Sequence, residues 1–143
     1  MKKIVFFITF IILGNNLYSQ TWIQLGNTLY GENSYDWFGY PSDINANGDI
    51  IVVGAPGNDN NGNNAGQMRV FKNISGIWTQ LGNTIYGNAS EDEFGRSPSI
   101  NYNGNIVAVG APYNDSNGNN AGQVRIFEFN GTSWLQKGNS IEG

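Results

Sequence analysis

The residues with the strongest claim on chemistry are Asp43, Asn45, Asn47 and Asp49, which alternate along Asp43-Ile44-Asn45-Ala46-Asn47-Gly48-Asp49. That spacing matches the opening of a calcium loop, D-x-[DN]-x-[DN]-G, where oxygen ligands fall on alternate residues and glycine makes the sharp turn. An EF-hand would close with a bidentate glutamate at its twelfth position, and this chain has Gly54 there. Further along, the same stretch returns as Ser99-Ile100-Asn101-Tyr102-Asn103-Gly104-Asn105, without a carboxylate. Charge count drives calcium affinity, so of the two loops only the first is a candidate for the ion. The alternative for both is a hairpin turn capped by polar side chains.

A second candidate is the Asn/Asp/Gly loop that follows, with Asp59, Asn61 and Asn63 in the first copy and Asp115, Asn117 and Asn119 in the second. One carboxylate among neutral amides makes a poor cation cage. These loops are read either as solvated Asx turns or as a rim that hydrogen-bonds a glycan or protein partner, since binding usually resides on loops held by a rigid scaffold. Asp36-x-Phe38 and Asp92-x-Phe94 also recur, and Glu91, Asp92 and Glu93 form an acidic cluster. Paired carboxylates can hydrolyse glycosides, but the first copy has Tyr35 and Trp37 at the flanking positions. A solvated charged corner is the expectation there. Trp22, Trp78 and Trp134 can stack on sugars or pack a strand onto its own sheet. Four N-x-[ST] sequons stand at Asn73, Asn88, Asn114 and Asn130. The chain has neither histidine nor cysteine, which removes the commonest general base, the commonest zinc ligand and any disulfide. No catalytic constellation emerges, and the expectation is a protein that is not an enzyme.

The elements that must position these residues follow from a repeat. Asp36–Pro56 and Asp92–Pro112 are versions of one sequence, and Gln24-Leu25-Gly26-Asn27-Thr28 returns at Gln80 and, decayed, at Gln136. A fixed period outranks local propensity as a guide to fold. Each period reads as four strands. The first runs from Phe38 to Asn45 and turns at Asn47-Gly48; the second holds the apolar run Ile50–Val53, which asks for cover on both faces. The long loop leads to a third strand, Gly66–Asn73, and a turn at Ser75-Gly76 leads to a fourth, Ile77–Gly87. The second period repeats this plan. The fold class is therefore all-β. Four-stranded sheets that are apolar on both faces are covered by radial stacking, the β-propeller solution.

Phe38-Gly39 followed by Gly54-Ala55-Pro56, and Phe94-Gly95 followed by Gly110-Ala111-Pro112, resemble the FG-GAP repeat of integrin alpha-subunit propellers and of many exported bacterial proteins. The resemblance covers nearly all of the chain after its leader. It implies β-propeller blades, a role in adhesion or ligand recognition, and calcium in an Asp-rich loop at the point where Asp43–Asp49 stand. The family's further Asp before the apolar strand is replaced here by Ile50 or Ile51.

The opening of the chain, two lysines followed by the apolar run Ile4–Leu13 and a polar stretch ending at Ser19, has the layout of a secretory signal peptide. Ten apolar residues fall short of the ~20 that span a bilayer. Cleavage is expected after Ser19, giving residues 1–19 as signal, with export to the cell surface or medium and no membrane span thereafter. Loss of Lys2 and Lys3 takes the net charge from −4 to −6, which argues against nucleic acid and anionic membranes as partners.

The expected organisation is then an extra outer strand and crossover at 20–37, a first blade at 38–93 and a second at 94–143. Rings need about four or more blades, so two blades and a strand make an incomplete or open propeller. Each open blade face projects roughly 300 Å², about 8 kcal/mol of burial forgone against a whole-domain stability of ~5–15 kcal/mol. Such faces are expected to meet further repeats of a longer chain or, failing that, other copies of this one. The functional expectation is a non-catalytic adhesion or recognition scaffold. The alternatives are an accessory repeat module of a larger secreted hydrolase and a calcium-stabilised structural module.

Overall fold

The computed structural model describes residues 21–143. The segment read as a signal peptide, residues 1–19, lies outside the described residues, so that reading stays an expectation. The first sheet contains β1 (Ser42–Ile44), β2 (Ile50–Ala55), β3 (Gln67–Ile74), β4 (Ile77–Gln80) and β5 (Ile85–Tyr86). The second contains β6 (Ser97–Ile100), β7 (Ile106–Ala111), β8 (Gln123–Phe129), β9 (Trp134–Gln136) and β10 (Ile141–Glu142). All pairings within the sheets are antiparallel and follow chain order, apart from the outer strand, which is split in each sheet so that β4 and β5 both pair with β3, and β9 and β10 both with β8. The described residues form no helix. The chain is all-β, with two open propeller-like blades.

The fourth, outer strand of each blade is divided by a kink, and the division has a local cause. Phe71 pairs with Gln80 and Met68 with Ile85, so four residues of the outer strand oppose two of β3. The excess is taken up at Gly82, at φ +77°, a left-handed conformation that costs glycine nothing. Gln80 closes the kink by donating to the Gly82 carbonyl and the Thr84 hydroxyl. Gln136 does the same to Gly138 and Ser140, and Gln24 to Gly26 and Thr28. The Gln24 kink forms although its segment pairs with no strand, so the repeated Gln-x-Gly-x-Thr/Ser carries its own conformation.

Turn chemistry decides the hairpins. Ser75 and Gly76 both have positive φ, 52° and 87°, as a two-residue type I′ turn requires. At the β1–β2 hairpin only Gly48 is left-handed, at φ +70°. Gly48 N–H donates to the Asn45 carbonyl and Asn45 N–H to that of Ile50, which makes a four-residue loop, 46–49, built around a turn that Gly48 closes. Asn47 therefore does not supply the positive φ expected of it. The first strands are also shorter than expected: Phe38–Pro41 and Phe94–Arg96 precede the ladder.

The apolar run of β2 divides between its two faces. Ile50 and Val52 join Met68, Val70 and Ile85 of the first blade in one buried cluster with Phe94, Val107, Val109, Ala111, Phe127 and Trp134 of the second. The core of the described chain is thus the joint between blades. The stretch Trp22–Tyr30, expected as an outer strand, is not a strand here. It lies along the first blade as β4 and β5 lie along the second, and among the described residues it pairs with no strand.

Candidate functional site

Asp43 and Asp49, the two carboxylates of the candidate calcium loop, serve different bonds. Asp43 reaches into the second blade: its Oδ2 accepts from Ile100 N–H at 2.9 Å and from the Ser99 hydroxyl at 3.1 Å, while Oδ1 accepts from Ile44 N–H. It is an inter-blade clamp. Asn45 is buried; its Oδ1 accepts from Asp49 N–H and Ile50 N–H, and its Nδ2 donates to Asp49 Oδ1 at 2.8 Å. Asn47 is exposed at the tip. Among the described residues no three acidic, histidine or cysteine side chains gather to hold a metal ion. The second loop makes the same lock with neutral groups, Asn101 accepting from Asn105 and Ile106 N–H and donating to Asn105 Oδ1.

The long loops hold themselves and the next connection. Asp59 Oδ1 accepts from Asn64 N–H and Asp115 Oδ1 from Asn120 N–H, each across five residues. Asn61 donates to the Gly87 carbonyl and Asn117 to that of Gly143. Asn63 and Asn64 both donate to Glu91, which fastens the first long loop to the crossover that enters the second blade. Of the six residues proposed for a binding rim, all but Asn119 use their side chains in such bonds.

Asp36 and Asp92, read as a solvated corner, are instead buried, each about 3% exposed. Asp36 Oδ2 accepts from Asn58 Nδ2 at 2.8 Å and from Asn33 N–H; Asp92 Oδ2 accepts from Asn114 Nδ2 at 2.9 Å and from Ala89 N–H. A buried carboxylate is tolerated when it is bonded in this way. The sequon residue Asn114 is consumed by the same pair. The tryptophans are joints as well. Trp134 is buried and donates its indole N–H to the Leu81 carbonyl, and Trp78 donates to that of Leu25. Arg125 lies over the rings of Phe94 and Phe127, 4.7 and 5.0 Å from their centroids, and donates to the Tyr86 carbonyl. Burial pushes its guanidinium down from the ordinary arginine value, against the opposing pull of Asp92. Arg69 repeats the arrangement over Phe38 and Phe71, donating to Tyr30.

One exposed group of side chains is not committed to such joints. Trp37, Tyr40 and Arg96 line a surface cleft of 270 Å³ between the blades. The Arg96 guanidinium lies 5.8 Å from the centroid of Tyr113, and its bond to Glu93 holds it above the ordinary arginine range. Trp37, Tyr40 and Tyr113 all expose their rings. Sequence reasoning missed this cleft, yet a signal was present. The repeats differ at its positions, where Trp37 answers to Glu93 and Tyr40 to Arg96, and beside it, where Tyr113 answers to Gly57.

The FG-GAP repeat model matches the chain twice, over residues 30–71 and 86–127, together more than half its length. No curated protein matches it. The two matches begin at equivalent places in the period and end at the equivalent phenylalanines Phe71 and Phe127, whose rings meet Phe38 and Phe94 edge to face at 6.2 Å. With blades built to one plan and joined through the same Phe-Gly and Gly-Ala-Pro landmarks, the chain belongs to the FG-GAP repeat family.

Proposed function

We propose that the chain is a non-catalytic recognition scaffold that works outside the cell, where its rim contacts a carbohydrate or protein ligand. The observation that carries this reading is the cleft of Trp37, Tyr40 and Arg96, with the exposed ring of Tyr113 beside its arginine. Exposed aromatic faces beside a fixed cation offer stacking and charge-assisted hydrogen bonds in one place. A cleft of that kind between rigid elements is where a ligand is expected to bind. The blades supply the rigidity: the backbone on either side is pinned by Asp36–Asn58, Asp92–Asn114 and the clamp of Asp43 on Ile100. The carboxylate beside Trp37 in the chain and the one bonded to Arg96 are spent on structure, Asp36 on Asn58 and Glu93 on Arg96, which favours binding over hydrolysis. Export rests on the layout of residues 1–19.

The test is a binding screen against immobilised glycans and extracellular proteins, followed by Trp37→Ala and Tyr40→Ala. A genuine ligand should lose roughly tenfold or more in affinity with either variant, since burying a large apolar side chain is worth about 1.5–3 kcal/mol. Binding that both variants leave untouched, or turnover of a polysaccharide by the purified chain, would overturn the reading.

A further inference from the structure

The far side of the second blade carries a groove of 410 Å³ lined by Gly110, Ala121, Gly122, Gln123, Val124 and Ile141, among others. Its residues match, one for one, the place in the first blade where Phe94-Gly95 is seated. There, Phe94 N–H donates to the Ala65 carbonyl, Gly66 pairs with Phe94, and the backbone of Gly95 passes against Gly54 and Gln67. Ala65, Gly66, Gly54 and Gln67 correspond to Ala121, Gly122, Gly110 and Gln123. The groove is preformed by the same bonds: Gly122 N–H to Asn114 and Gly143 N–H to Gly122 repeat Gly66 N–H to Asn58 and Gly87 N–H to Gly66. Its walls differ from the filled seat at three positions, Ser97 for Pro41, Val124 for Met68 and Glu142 for Tyr86, and in exposure. Val124 is 38% exposed where Met68 is 1%, and Ile141 is 57% where Ile85 is 6%.

The matching insert stands at the other end of the chain. Phe38 meets Phe71 edge to face at 6.2 Å under the guanidinium of Arg69, as Phe94 meets Phe127 at 6.2 Å under Arg125. Phe94 is fully buried and Phe38 is not. A side chain on Gly95 would strike the Gln67 carbonyl, whereas one on Gly39, at φ +91°, would meet open space. Ile44 is half exposed, and its counterpart Ile100 packs against the buried cluster. We propose that the groove of the second blade receives Phe38-Gly39 of a second copy of this chain, so that copies join head to tail through a repetition of the joint already present between the two blades. The two surfaces are different, so the contact is heterologous and propagates or closes into a ring.

This joint has a built-in competitor. The segment Trp22–Gly31 occupies, on the first blade, the place that Trp134–Gly143 of an arriving copy must take. A side chain on Gly31 would lie 2.9 Å from Phe38, as one on Gly87 would lie 3.0 Å from Phe94. Asn27 Oδ1 accepts from Trp78 N–H at 2.7 Å, as Asn83 does from Trp134, and Asn139 is the equivalent residue at the end of the chain. Joining therefore exchanges a segment of the same copy for one from its neighbour.

Sedimentation equilibrium on the chain from Gln20 onward tests this. The weight-average mass should rise with concentration. Val124→Glu and Ile44→Glu, on opposite faces and both at exposed positions, should each leave a monomer, because either places a charge in the joint. An equimolar mixture of the two should form a dimer and stop there, since each retains one intact face. Asn27→Ala, which loosens the competing segment only, should shift association to lower concentration, and Val124→Glu added to it should abolish the effect. Ile141→Glu and Phe38→Ala serve as second variants of the two faces should either first choice fail to fold by circular dichroism. A wild-type chain that stays monomeric at millimolar concentration, single-face variants that still self-associate, or a mixture that does not pair would each overturn the proposal. Ligand binding through the Trp37 cleft is read separately and is untouched by any of these results.

Discussion

Trp134 donates its indole N–H to the carbonyl of Leu81 at 2.8 Å, and its backbone N–H to Asn83 Oδ1 at 2.8 Å. One residue of the second blade thereby holds the kinked outer strand of the first at two points. Trp78 makes the same two bonds to Leu25 and Asn27, although the segment it holds is not a strand. The repeated physical unit is therefore the joint between neighbours as much as the sheet itself, as expected of an architecture whose stability is a sum of repeat and interface terms.

Replacing Trp134 by Phe keeps most of the ring in the cluster and removes the indole donor from a buried carbonyl. It should cost about 1–3 kcal/mol in chemical denaturation. Asn83→Ala removes the other bond, and the double variant should lose less than the sum of the two, because both act on one strand. Strict additivity would show that Trp134 and Asn83 do not share a joint.

Asp92 accepts from Asn114 and from Ala89 N–H while buried, so Asp92→Ala strands two donors inside the protein. A loss of about 2–3 kcal/mol is expected, with Asp92→Asn costing less because an amide oxygen can still accept. A catalytic carboxylate would show the reverse pattern, an activity lost and a stability kept or raised. Melting curves of the two variants separate these outcomes.

Tyr35, Trp37, Glu91 and Glu93 all have positive φ, between 50° and 66°. Residues with a Cβ pay about 1–3 kcal/mol for such a conformation. Glu91 is compensated by Asn63 and Asn64, whereas Tyr35 is 86% exposed. Tyr35→Asn, which tolerates the left-handed region, should raise stability by about 1 kcal/mol. A destabilisation of that size would mean the tyrosine ring makes a contact that outweighs the strain.

Much of this was legible in the chain itself, for a physical reason. The period places Trp78 and Trp134, Phe38 and Phe94, and the two Gly-Ala-Pro ends at equivalent points, and stacking sheets is the ready way to cover apolar runs such as Ile50–Val53. What the residues did not disclose was where long-range polar bonds would go. Asp43 reads locally as a calcium ligand, and it is spent on Ser99 and Ile100, at the same point of the next repeat. Asp36 and Asp92 read as surface charges because their partners, Asn58 and Asn114, are 22 residues away. The split of the outer strand depends on the bonds of Gln80 to the Gly82 carbonyl and the Thr84 hydroxyl, which strand propensity does not disclose. The cleft is built where the repeats differ, so the residues they share do not disclose it.

Gln67 is fully buried, and neither its amide nitrogen nor its oxygen has a hydrogen-bond partner. Its counterpart Gln123 donates to the carboxylate of Glu142. The difference lies in the residue paired across the ladder, Tyr86 for Gln67 and Glu142 for Gln123. An unsatisfied buried amide costs about 1–3 kcal/mol. Tyr86→Glu should recover about 1 kcal/mol by giving Gln67 the acceptor that Gln123 has, whereas Tyr86→Gln, a neutral acceptor, should recover less. If both variants only destabilise, the ring of Tyr86 is worth more to the joint than the missing bond.

The geometry of the first hairpin bears directly on calcium. Asn45 ties the first hairpin through Asp49 and Ile50, and Asn101 ties the second through Asn105 and Ile106 with no carboxylate in the loop. The lock is therefore a matter of amide geometry, and Asp49→Asn rebuilds the second loop in the first. Its stability should stay within about 0.5 kcal/mol of the parent, as for a surface substitution that keeps its bonds. Asp43→Asn is expected to cost more, about 1–2 kcal/mol, because the charge accepts from both Ser99 and the Ile100 backbone. Neither value should depend on calcium, and the parent chain should melt at the same temperature with and without the ion at millimolar concentration. A ligand held at 100 times its dissociation constant adds about 2.7 kcal/mol, so bound calcium would raise the melting temperature by several degrees. A rise of that kind, abolished by Asp49→Asn, would make the first loop a cation site and Asp43 a ligand in place of a clamp.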